Sequence, residues 1–221
     1  GEVPVLFEVR PAVPVKVNVT DFDGKPTTGR FLITDASGHV YPPQAKRLAP
    51  DLFFQKQIYR HDSGTILLPP GKFTVQYGRG PEYGLKTAEL VVPSDGKLSP
   101  FAARLERWVN PADYGFFSGD HHIHAAGCAH YTNPTEGVLP EHMFLYVKGE
   151  ALNVGCCLTW GPCYDYQRKF FDPKPWERSE PFTILKYDVE VSGFGSQALG
   201  HVCLLNLRDQ TYPGSDGTKT K

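Results

Sequence analysis

An α+β chain of two domains is the fold class this sequence predicts, with an all-β sandwich over residues 1–110 and a mixed α/β unit over 111–221. Three observations predict it. Short stretches in the first half alternate apolar and polar residues and close on Gly- and Pro-rich turns, the mark of strands with one buried face. The reactive side chains are unevenly placed: two histidines and no cysteine precede Gly115, whereas six histidines and all five cysteines follow it. In the second half a run with helical spacing stands between two apolar, strand-like stretches. Thirteen of the 20 prolines also precede Gly115, as short strands and tight turns require, which places the boundary near residue 110.

The elements of the first half follow in order. Val13 to Val19 (VPVKVNV) has strict period 2, and Asp21 to Pro26 (DFDGKP) supplies the turn. Arg30 to Asp35 (RFLITD) closes on Ser37-Gly38, Thr65 to Leu68 on Pro69-Pro70-Gly71, and Lys72 to Tyr77 on Gly78-Arg79-Gly80-Pro81. A last strand covers Thr87 to Val92. Six or seven short strands at this spacing predict a sandwich of two sheets. The stretch ILLPPGKFTVQYGRGPEY (66–83) resembles the transthyretin-like or carboxypeptidase-regulatory-like modules, and that resemblance implies an accessory domain. Gly78-x-Gly80 is read as a turn and not a phosphate loop, because no helix-forming run follows and Pro81 lacks an amide donor.

Composition excludes several function classes. With 23 basic and 24 acidic side chains the formal net charge is −1, which offers no basic surface for nucleic acid. At 40% hydrophobic residues the chain is too apolar to stay disordered, and no run of about 18 apolar residues exists to span a bilayer. Five cysteines cannot all pair internally, and Cys128, Cys156, Cys157, Cys163 and Cys203 lack the C-x2-C spacing of a zinc knuckle. Cys156-Cys157, inside an apolar strand, reads as two buried small hydrophobes with raised thiol pKa values.

The chemistry concentrates in Gly115 to His124 (GFFSGDHHIH). An apolar entry followed by Asp-x-His-x-His reads as a strand running into a site. Residues two apart on a strand share a face, so His122 and His124 present two imidazoles to one ion, while His121 turns away with Ile123. Asp120 falls on the ligand side, where its carboxylate would accept the distal N–H of an imidazole. Imidazole ligands suit several transition metals, and the spacing does not choose among them. Further ligands are expected about 70 residues on, at Glu190 in the alternating Tyr187 to Ser192 (YDVEVS) and at His201, which opens the apolar Leu199 to Leu207 (LGHVCLLNL). Pro140 to Gly149 (PEHMFLYVKG) predicts the crossover helix, with His142 in its exposed first turn, leading to a strand at 152–159. His130, in the polar loop after the first metal strand, is a candidate catalytic or substrate contact.

Gly119-Asp-His-His-Ile-His, then a Glu, then Gly200-His-Val-Cys-Leu-Leu-Asn206, resembles the polymerase-and-histidinol-phosphatase (PHP) superfamily in its CehA/McbA-like branch. The resemblance covers about residues 112–221. It implies a distorted (β/α)7 barrel, of which this chain would hold the first part, and a cluster of divalent ions, Zn, Mn or Fe. His122 and His124 would ligate one metal, Glu190 would bridge, and His201 would ligate a second. It also implies hydrolysis of a phosphoester, carbamate or carboxylic ester in a small molecule by metal-activated water, with Glu190, Asp120 and His130 as the catalytic residues. A bacterial, periplasmic or secreted location is implied too, since related proteins carry export leaders. Two departures stand out. The Asp-His pair that the family carries at the end of its next strand is replaced here by Trp160-Gly161, and the later strands would lie beyond Lys221. A half-built barrel would leave edge strands unpaired, so self-association is expected. The competing expectation is a binding or structural protein: a β-sandwich joined to a degenerate metal domain that has lost catalysis.

Overall fold

A computed structural model describes residues 3–6, 9, 11–45, 47–125, 138–160, 164–191 and 196–211. In the first half β1 (Val13–Thr20) pairs antiparallel with β5 (Thr65–Leu68) and parallel with β8 (Phe101–Arg104), a three-stranded sheet. The second sheet has β2 (Thr28–Thr34) beside β6 (Gly71–Gly78), which pairs with β7 (Lys86–Val92). On the other edge of β2, β4 (Ile58–His61) and β3 (Val40–Tyr41) pair one after the other. The alternation read in β1 is the alternation observed: Val13, Val15, Val17 and Val19 are buried, with exposed residues between them. They meet Phe31, Ile33, Ile58, Phe73 and Val75 of the other sheet in one apolar core. Burying each such side chain contributes roughly 1.5–3 kcal/mol.

A 3-10 turn at Pro111–Tyr114 leads into the second half, which has one four-stranded sheet. Strands β9 (Gly119–Ile123), β10 (Val154–Thr159) and β11 (Ile184–Val191) run parallel, and β12 (Val202–Leu204) returns antiparallel at the edge beside β11. Helix α1 (Pro140–Gly149) lies between β9 and β10 in the chain; its Pro140 start needs no amide partner at the first helical position. Met143, Phe144 and Val147 of α1 pack with Cys157, Leu185 and Tyr187, and Leu52 from the first half joins this cluster.

The expected α+β arrangement with the first part of a (β/α)7 barrel is not what forms. The chain is 39% strand and 12% helix, and this proportion cannot supply a helix after each strand. Among the described residues α1 is the one helix longer than a single turn; α2 (Tyr164–Gln167) and α3 (Ser196–Leu199) have four residues each. The connection from β10 to β11 is rich in aromatic and proline residues, and among its described residues the helical pieces are α2 and a 3-10 turn at Arg168–Phe170. Beyond β11, Gly200 adopts a left-handed φ of 77°, and the chain turns back antiparallel instead of crossing over. The result is a mainly β molecule of several sheets with a half-barrel. No described helix is long and apolar enough to cross a membrane.

Helix α1 also packs against the first half, and a glycine permits it. A Cβ on Gly149 would lie 2.2 Å from Cδ1 of Tyr59, whose ring is buried and whose hydroxyl donates to Glu150 Oε1 at 2.5 Å. Arg79 Nε adds a hydrogen bond to the carbonyl of Lys148 at 2.8 Å. Gly149→Ala is therefore expected to destabilise by about 1–3 kcal/mol through overpacking, measured by urea denaturation. Helix propensity alone would give the opposite sign, roughly 0.5–1 kcal/mol of stabilisation. A stabilised variant would contradict this packing.

Candidate metal centre

The four sequence-nominated ligands His122, His124, Glu190 and His201 come together at the ends of β9, β11 and β12. Glu190 is the floor of the group: its side chain is 1% exposed, against 33% for His122, 27% for His124 and 42% for His201, so the imidazoles lie between the carboxylate and solvent. The Nε2 atoms of His122 and His124 lie 3.0 and 3.1 Å from Glu190 Oε2 and 3.1 Å from each other. His201 Nδ1 contacts the other carboxylate oxygen, Oε1. Thus both oxygens of one buried carboxylate are faced by imidazole nitrogens, and one donor atom from each of His122, Glu190 and His201 falls within 4.8 Å of the others.

This donor set fits a divalent cation. At metal–nitrogen distances near 2.05 Å, tetrahedral ligand atoms stand roughly 3.3 Å apart, close to the spacing of the His122, His124 and Glu190 atoms. Two Nε2 atoms at 3.1 Å cannot both carry a proton toward each other and toward one carboxylate oxygen. A cation accepts both lone pairs at once and balances the carboxylate. Burial holds His124 below the ordinary imidazole range, despite the opposing pull of Glu190, and so favours the neutral, ligating form.

The register of β9 explains where Asp120 goes. Asp120 pairs with Gly155 and Ile123 with Cys157, so β9 advances three residues while β10 advances two, and the extra residue is a bulge. By the ladder Asp120 falls on the face of Ile123 and His122 on the face of Glu190, while His124, just past the strand end, contacts Glu190 and also lines one cavity with Asp120. Asp120 Oδ1 accepts the backbone N–H of His122 at 2.9 Å, instead of an imidazole N–H, and the residue lines a cavity of about 210 Å³ with Leu52, Tyr59, Ile123 and Tyr146. His121 is exposed, as its place in the bulge requires. His130 lies outside the described residues.

Two further residues adjoin the cluster: Cys203, which is not among the ligands read from sequence, and Trp160, which the sequence marks as a departure from the family pattern. Cys203 stands opposite Glu190 in the β11–β12 pairing, and its Sγ is 3.5 Å from His122 Nδ1. The signal was present: Cys203 is two residues from His201, the spacing that puts side chains on one face of extended chain. Trp160 packs edge-on against His124, with ring centroids 5.3 Å apart, where the resemblance expected an Asp-His pair. Burial pushes the Cys156 thiol up to about 11 and raises that of Cys157 as well, so neither is a nucleophile at neutral pH.

Comparison with protein-family models, curated proteins and solved structures finds no match.

Proposed function

We propose that His122, His124, Glu190 and His201 form a divalent metal centre, and that the protein is a metal-dependent hydrolase of phosphoester or carboxylic and carbamic ester bonds in small molecules. The observation that carries this reading is the convergence of three imidazoles on the two oxygens of one buried carboxylate. A divalent ion bound there supplies a water of lowered pKa and neutralises the charge that develops on the substrate oxygen. Glu190, faced on both oxygens, would hold the ion or ions together with His122 and His124 on one side and His201 on the other. The open His201 side offers the route for a small substrate. Asp120 holds the backbone of His122 and so steadies the strand that carries both imidazoles. The partial likeness to PHP metallohydrolases in Asp-x-His-x-His and Gly-His-Val supports the same chemistry.

Trp160 favours a second reading, a metal-binding protein without hydrolysis, because its indole occupies the neighbourhood of His124 where further ligands would be needed. One experiment separates the two. After chelator dialysis and reloading with Zn or Mn, bound metal is measured together with hydrolysis of p-nitrophenyl phosphate and p-nitrophenyl acetate. A variant carrying His122→Ala and His124→Ala is treated alongside. The hydrolase reading expects bound metal and metal-dependent turnover, both lost in the variant. Bound metal without turnover would leave the binding protein, and no difference from the variant would remove the metal centre.

A further inference from the structure

We propose that Cys203 is a positioning residue of this centre, its Sγ accepting the Nδ1–H of His122 so that the ring presents an unprotonated Nε2 to the cation. The inference rests on reading the cluster as a metal centre. An imidazole that binds through one nitrogen carries its proton on the other, and the partner of that N–H fixes both tautomer and ring orientation. Two carboxylates near His122 do not take that role. Asp120 is on the far side of the bulge, bound to the backbone, and Glu190 faces Nε2. The described atom at Nδ1 is Cys203 Sγ, at 3.5 Å, within sulfur hydrogen-bond range. The corresponding nitrogen of His124 is buried with no partner among the described residues, so His122 is the imidazole whose orientation is held.

Strand pairing makes this placement a property of the fold. Cys203 is registered opposite Glu190, and His201, the residue just before β12, reaches the same side of the sheet through its contact with Glu190. That side therefore touches the centre twice: His201 on Glu190 Oε1, and Cys203 on the back of His122. Val202, between them, is 56% exposed on the other face. A thiol is a weak acceptor, so the expected contribution lies toward the low end for such outer partners, nearer tenfold than a hundredfold in metal affinity.

The test measures zinc affinity by competition with a chromophoric chelator in the wild type, Cys203→Ala and Cys203→Ser. The His122 tautomer is read in parallel from long-range proton–nitrogen NMR of the metal-free and zinc-loaded proteins. Cys203→Ala is expected to weaken zinc binding about tenfold and to abolish the preference of His122 for the Nδ1–H form, while Cys203→Ser recovers at least part of both. Equal affinity and an unchanged tautomer in Cys203→Ala would overturn the proposal. So would a sulfur-to-metal charge-transfer band in the cobalt-loaded wild type that Cys203→Ala lacks, because Cys203 would then be a ligand. Should the wild type bind neither zinc nor cobalt, the metal reading fails by itself, and the metal-free tautomer comparison still decides the role of Cys203. If Cys203→Ala does not fold, Cys203→Ser and the wild-type tautomer carry the decision.

Discussion

Glu190→Gln is expected to weaken zinc binding roughly a thousandfold, about 4 kcal/mol, while changing the stability of the metal-free protein by about 1 kcal/mol or less. The two parts together make the prediction specific. The amide has the shape of the carboxylate and can hydrogen-bond to the imidazoles around it, so the packing of a side chain that is 1% exposed is kept. What disappears is the negative charge and the second anionic oxygen that faces His201. Zinc should therefore raise the melting temperature of the wild type and leave that of the variant unchanged, because a ligand stabilises only the state that binds it. If the cluster were an ion pair between a carboxylate and protonated imidazoles, the pattern would invert. Glu190→Gln would then lower metal-free stability and hardly alter zinc affinity. Chelator competition combined with thermal unfolding in the presence and absence of zinc tells these outcomes apart, and a variant within about threefold of wild-type affinity would end the metal reading.

The residues of the cluster are legible because most lie in segments whose periodicity is simple. His122 and His124 share a face two residues apart, and Glu190 lies in a long alternating strand, Ile184–Val191. For Asp120 the same logic leaves out the bulge in β9, an extra residue that shows only in the pairing with β10; its carboxylate accepts the His122 backbone amide and lines one cavity with His124. Cys203 was passed over as one of several apolar positions, although the two-residue spacing that joins His122 to His124 also joins Cys203 to His201. In the first half the alternating strands are visible, down to the four-residue β5 that closes on Pro69-Pro70-Gly71, whereas β4 (IYRH) and β8 (FAAR) carry no such Pro-Gly turn directly after them. They are defined by pairing with β2 and β1, which is a tertiary property.

The barrel expectation failed for a related reason. A βαβ unit is legible when an amphipathic run links two strands, and Pro140–Gly149 is such a run. Parallel pairing of β10 with β11 then forms without a second long helix among the described residues, because Trp176 and Phe170 cover the sheet in its place beside Phe144 and Tyr187. Aromatic side chains at irregular spacing can bury a sheet face as well as a helix can, and they leave no periodic trace. The antiparallel return of β12 follows a left-handed φ at Gly200, a backbone conformation that the motif Gly-His-Val does not by itself specify.

Asp188→Ala is expected to cost about 3–5 kcal/mol of stability, the largest effect of any single substitution outside the apolar cores. The carboxylate is fully buried on β11, two residues from Glu190. Its Oδ1 accepts the amide of Leu207 at 3.0 Å and the ammonium of Lys186 at 3.2 Å, and Oδ2 accepts the amide of Asn206 at 2.9 Å. Asn206 has a left-handed φ of 57°, and the turn leaving β12 is held by the Asp188 side chain together with Lys186 Nζ, which donates to the carbonyl of Leu207. Removing the Asp188 carboxylate strands two amides and leaves the buried ammonium of Lys186 without its counter-charge, with the carbonyls of Tyr187 and Leu207 as its remaining partners. Lys186→Met should be cheaper, about 1–2 kcal/mol, because Asp188 keeps both amide donors, although the ammonium's contacts with the carbonyls of Tyr187 and Leu207 and with the Phe171 ring are lost. The asymmetry is the test, read by urea denaturation of the metal-free protein. Equal costs for the two variants would mean that the ion pair, and not the anchoring of the turn, is what Asp188 contributes. The anchored turn follows the strand that carries His201 and Cys203, so Asp188→Ala should also weaken zinc binding, whereas Lys186→Met should leave it near the wild-type value.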